Sequence, residues 1–161
     1  MIGVVISTAC TSQSTPAVAP ALPGLGAARQ SWAAHHSQPA GRFNEVAYEN
    51  DRVNGFVLHL DGAGQTEEGA KYAVALELPS DSQLIIESRK YLAGPEQDDQ
   101  CDLIQYQSAS LGRVIPDDPS GVITVRLSRL TDAGLGPYDP NHVITVSVQA
   151  TGTLGEVPLE C

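Results

Sequence analysis

The stretch TEEGAKYAVALEL, Thr66–Leu78, decides the fold, because its residues fit either kind of regular structure. Read as a helix, it has Thr66 as N-cap, Glu67 and Glu68 at the positive end of the helix dipole, and Tyr72, Ala73 and Leu76 on one face. Read as a strand, Tyr72, Val74, Leu76 and Leu78 alternate to one side. The alanines and the acidic start favour a helix, which Pro79-Ser80-Asp81 ends. A helix at this point makes the fold α+β, whereas a strand would make it an all-β sandwich.

The flanking sequence supports strands on both sides. Upstream, Arg42–Glu49 and Val53–Leu60 read as a hairpin around Asn50-Asp51, with Phe56, Leu58 and Leu60 on one face and Val57, His59 and Asp61 on the other. Before them, Leu25–His35 is alanine-rich, and Leu25, Ala28 and Trp32 recur at helical spacing, which makes Trp32 the core-facing anchor of a first helix. Downstream, Gln83–Leu92 reads as a strand, Gly94–Asp102 as a charged loop and Leu103–Ile115 as a partly helical amphipathic segment. Val122–Leu130 alternates, with Val122, Thr124, Arg126 and Ser128 facing away from Ile123, Val125, Leu127 and Arg129. His142–Gln149 alternates in the same way, and the connection between the two contains Gly134, Gly136 and Pro137, as an extended hairpin tip would. The expected architecture is an α+β domain, an antiparallel sheet with helices packed on one face, and the all-β sandwich is its alternative.

The 161 residues are enough for one domain and a tail, and with 15 glycines, 11 prolines and 5% aromatic residues the core should be small and the turns many. Nine Lys and Arg against 19 Asp and Glu give a formal charge of -10, which repels phosphate backbones. Only Arg89-Lys90 places two cations together, so no nucleic-acid partner is expected. No apolar run reaches the roughly eighteen residues of a membrane-spanning helix, which leaves the N-terminus as the place for any membrane attachment.

That N-terminus, MIGVVISTAC, has an apolar stretch from Ile2 to Ile6 and then Ser7, Thr8, Ala9 and Cys10, with no Lys or Arg before them. Ala9-Cys10 resembles the lipobox of bacterial lipoproteins, in which a small residue precedes a cysteine that is diacylated and becomes the mature N-terminus. The resemblance implies lipidation of Cys10, membrane attachment through that lipid and a location on the extracytoplasmic face of the cell membrane. The missing basic region would lie before Met1, with residues 1–9 the end of a leader. Thr11–Pro23 consists of uncharged Ser, Thr, Gln, Ala, Val, Leu and Pro, the composition of an extended tether, so residues 10–23 are read as linker and 24–161 as the domain. With Cys10 carrying lipid, Cys101 and Cys161 remain as an even pair. Outside the cytoplasm they can close a loop of about 60 residues, worth on the order of 4 kcal/mol, and in a cytosolic protein they would be two thiols. The segment SWAAHHSQP followed by a hairpin, within Leu25–Leu60, also resembles small envelope lipoproteins with the fold of the β-lactamase-inhibitor protein.

Catalytic chemistry has little to build on. There is no G-x-S-x-G elbow, and no C-x-x-C pair to hold zinc. His35 and His36 are adjacent and so point about 100° apart on a helix, unlike an i, i+4 ligand pair. The carboxylates Glu96, Asp98, Asp99 and Asp102, and the pair Asp117-Asp118, lack the alternating pattern of a calcium loop and read as solvated loops. No catalytic residue, metal or cofactor is expected, and the function expected is binding of an unidentified protein partner or envelope component. The alternative is a secreted metal-binding or hydrolytic protein with a site at His59, Asp61 and His142, where a histidine and a carboxylate share one side of a strand.

Overall fold

The computed structural model describes residues 21–36, 43–60, 64–91, 100–116, 119–129 and 142–151. In chain order these form α1 (Arg29–His35), β1 (Phe43–Glu49), β2 (Arg52–His59), α2 (Glu67–Ala75), β3 (Gln83–Tyr91), β4 (Gln100–Gln107), α3 (Ala109–Val114), β5 (Val122–Arg129) and β6 (Val143–Ala150). All six strands belong to one open sheet in the order β1-β2-β6-β5-β4-β3, with every neighbouring pair antiparallel. Among the described residues no helix is long and apolar enough to cross a membrane.

The ambiguous stretch is helical. Thr66 caps α2 by accepting a hydrogen bond from Gly69 N at 3.2 Å, and Glu67 and Glu68 occupy the first turn. The buried face differs from the expected one: Ala70, Ala73 and Val74 face inward, while Tyr72 and Leu76 are 70% and 58% exposed. Ala70 and Val74 are one turn apart and small enough to bring the helix close to the sheet, which leaves the larger side chains facing water.

The β1–β2 hairpin turns at Asn50 and Asp51, both at positive φ (48° and 61°), as a two-residue primed turn requires. Pairing places Phe56 opposite Val148, Val148 opposite Val125 and Val125 opposite Ile104, an apolar row across four strands. Leu58, Val146 and Leu127 form a second row, and both rows join one cluster with Trp32 of α1, Ala70, Ala73 and Val74 of α2, and Leu111 and Val114 of α3. Fully burying each large apolar side chain contributes about 1.5–3 kcal/mol, so these rows dominate the stability of the sheet.

Two expected elements are corrected. The first helix begins at Arg29 rather than Leu25, because the chain at Gly26 and Ala27 is bonded instead to β2: Gly26 N donates to Val53 O at 2.8 Å and Val53 N to Ala27 O at 2.9 Å. Leu25 is buried all the same. The segment Leu103–Ile115 is not one amphipathic element. It holds the end of strand β4 and all of α3, and β4 starts at Gln100, inside the expected loop. Cys101 to Gln105 are all buried, so β4 shows none of the alternation that marks a strand with one wet face.

Candidate functional site

Of the alternative histidine and carboxylate site, the described residues include the two histidines. His59 ends β2 on the exposed side, opposite Thr145 in the register, and His142 immediately precedes β6. Leu60 N donates to Ile144 O at 2.9 Å, so both histidines lie at one end of neighbouring strands, but Asp61 is outside the described residues. Among the described residues no group of three His, Cys, Asp or Glu side chains could hold a metal ion. Cys101 is buried in β4, and Cys10, Cys161, Glu96, Asp98, Asp99, Asp117 and Asp118 also lie outside the described residues.

A cleft of about 530 Å³ lies where β3 begins, β4 ends and α3 follows. Asp81, Gln83, Gln107, Arg113 and Ser120 contribute its polar lining. Ser108 caps α3 by accepting from Leu111 N at 3.1 Å, and Asp81 reaches across from the turn before β3 to the same helix end. Its Oδ1 accepts from the Ser108 hydroxyl at 2.6 Å and the Ser110 hydroxyl at 2.5 Å, and its Oδ2 from Ser110 N at 2.9 Å. The far wall is fixed by Gly121, whose φ of 62° and closeness to Ser108 O, 2.0 Å from where a Cβ would sit, exclude a side chain. Gln107 Nε2 donates to Ser120 O at 3.1 Å, tying that wall to β4.

Burial pushes the Asp81 carboxyl up, but the Ser108 and Ser110 hydroxyls and the Ser110 amide outweigh it and hold its pKa down at about 2. Three donors already occupy the carboxylate, which makes it a structural cap and a poor proton acceptor at neutral pH. A depressed pKa means that its stabilisation is present above the ordinary value of 3.8 and is lost as pH falls through about 2. Asp81→Asn presents an amide donor to donors and should be less stable at neutral pH. It should also show a smaller stability loss than the wild type between pH 4 and pH 2, measured by urea titration at each pH. Parallel pH curves would show that Asp81 does not carry this part of the stability.

Charged side chains also tie α2 to the sheet. Arg129, 4% exposed at its side chain, bonds Asp102 on β4 and, at 2.7 Å, Glu67 Oε2 on α2. Glu67 also accepts from Lys71 at 2.8 Å, and Lys71 in turn bonds Glu87 on β3. The Lys71 hydrogen bond keeps the Glu67 carboxyl below its ordinary value, against the opposing effect of burial. At the other end of the helix, His36 stacks on Trp32 with ring centroids 3.8 Å apart and places Nε2 3.0 Å from Glu77 Oε2. Its Nδ1 lies 3.1 Å from Trp32 O. The sequence did place Arg129 on the apolar side of an alternating strand, which is the signal that a buried partner exists.

No family model, curated protein or solved structure matches the chain.

Proposed function

We propose that this chain is a lipid-anchored extracytoplasmic protein whose α+β domain, helices on one face, binds an envelope component or another protein without catalysis. The observation that carries the binding part is the commitment of Asp81: the carboxylate lining the cleft is already occupied by three hydrogen bonds, so among the described residues the cleft offers Gln83, Gln107 and Arg113 as recognition groups and no poised acid or base. The membrane part is supported by the resemblance of Ala9-Cys10 to a lipobox and by the uncharged composition that follows it.

Two measurements test the reading. Cells expressing wild type or Cys10→Ala and grown with radioactive palmitate should label only the wild type, and equal label removes the anchor. Purified Cys10→Ala protein, carrying no lipid, should co-sediment saturably with envelope fragments, and Arg113→Glu in that background should weaken the association at least fivefold. Non-saturable sedimentation, or no effect of Arg113→Glu, rejects the cleft as the binding surface.

A further inference from the structure

From Cys101 to Gln105, strand β4 is dry on both faces, and the helices account for one of them. Ile104 belongs to the cluster that holds the helices' buried side chains. On the opposite face, Cys101, Leu103 and Gln105 are 1%, 3% and 2% exposed; of their β5 partners Thr124 is buried and Arg126 and Ser128 are half-buried, and Val122, next on that side of β5, is buried. Cys101, Leu103 and Val122 are outside that cluster. A sheet face this poor in water needs a covering layer of its own.

Thr151, just past β6, lies at one end of this stripe. Its N donates to Val122 O at 2.9 Å, and its Oγ1 is 2.8 Å from Thr124 Oγ1, which also accepts from Gln105 Nε2 at 3.1 Å. The chain thus leaves β6 at the Gln105 end of the buried stripe. The register pairs Gln105 with Thr124 and Cys101 with Ser128, so the stripe spans four residues, about 13 Å. The ten residues from 152 to 161 can extend to roughly 33 Å, and they include Leu154, Val157 and Leu159 before Cys161.

We propose that residues 152–161 double back across this face of β4 and β5, cover Leu103, and are clipped by a disulfide between Cys161 and Cys101. In forming the bond each thiol gives up its proton, and the two electrons pass by thiol–disulfide exchange to an oxidising disulfide, which leaves as the dithiol. The covering layer follows from the dry stripe. Oxidation in the cell rests on the extracytoplasmic location proposed above, since such oxidants act there.

Full-length protein refolded in a glutathione redox buffer, digested with trypsin without reduction and analysed by mass should yield peptide 91–113 joined to peptide 130–161. Peptide 91–113 joined to the N-terminal peptide that contains Cys10, or left reduced, overturns the proposal. In a Cys10→Ser background, ending the chain after Thr151 should speed alkylation of Cys101 at least tenfold relative to full-length Cys161→Ser. An unchanged rate means that another segment covers the stripe, which also overturns it. A bond that forms in the buffer but is absent from protein isolated from cells counts against the extracytoplasmic location and leaves the strap standing.

Discussion

Phe56→Ala should cost about 3–5 kcal/mol of folding stability, a large share of the roughly 5–15 kcal/mol available to a domain of this kind. Phe56 is 2% exposed and sits in the apolar row of β2, opposite Val148. Its ring centroid is 5.3 Å from that of Trp32 and 5.6 Å from that of Phe43, and the Trp32 and Phe43 rings are 5.3 Å apart. The three rings join α1, β1 and β2, so the cavity left by alanine opens where those elements meet and close packing lets them collapse only partly. Phe56→Leu keeps most of the volume and should lose less than about 1.5 kcal/mol. Urea titration followed by Trp32 fluorescence reads both variants, and a loss below about 1 kcal/mol for Phe56→Ala would show that the aromatic cluster does not hold α1 to the sheet.

Much of this fold was legible because water wets one side of most of its elements. The β1–β2 hairpin, Phe56 and Leu58 on its inner face, and the alternation of β6 follow from period two with one wet face, and β5 kept its apolar alternation in sequence although Val122 and Thr124 are buried as well. The Thr66 cap was legible because a threonine followed by two glutamates has a local electrostatic meaning that needs no tertiary context. The same stretch misled on phase: Tyr72 and Leu76 read as its core on size, yet Ala70 and Val74 are what fit against the sheet. Strand β4 was hidden for the opposite reason, since a strand buried on both faces loses its period.

The cleft was less legible than the sheet. Asp81 looked like the stop signal of a helix, and nothing local reveals that Ser108 and Ser110, across the sequence, deliver three hydrogen bonds to it. The histidine pair shows the converse. The strand pattern brought His59 and His142 to one end of neighbouring strands, and the third member of that reading, Asp61, lies outside the described residues. Spacing along a strand fixes which face a side chain takes, and convergence is a property of the loops between strands.

Arg129→Met should destabilise the domain by about 3–5 kcal/mol, because it takes away the guanidinium that neutralises a carboxylate held out of water. The Arg129 and Asp102 side chains are 4% and 8% exposed, and Glu67, at 32%, completes the cluster from the helix side. Desolvating both charges costs nearly as much as their attraction returns, so the pair adds little net stability while intact and exacts a large penalty when one member is lost. It follows that Arg129→Met combined with Asp102→Leu should recover most of the loss, since no charge then remains at the Asp102 position. The Glu67 contribution has its own pH signature: its carboxyl lies below 4.5 in the fold, so the stabilisation is complete above that value and declines as the pH falls below it. Urea titrations of the single and double variants at neutral pH decide the matter. If Arg129→Met alone were within about 1 kcal/mol of wild type, the cluster would be solvated and the attachment of α2 would rest on Ala70, Ala73 and Val74. If the double variant were as unstable as the single, the loss would come from packing of the Arg129 stem rather than from the charge it faces.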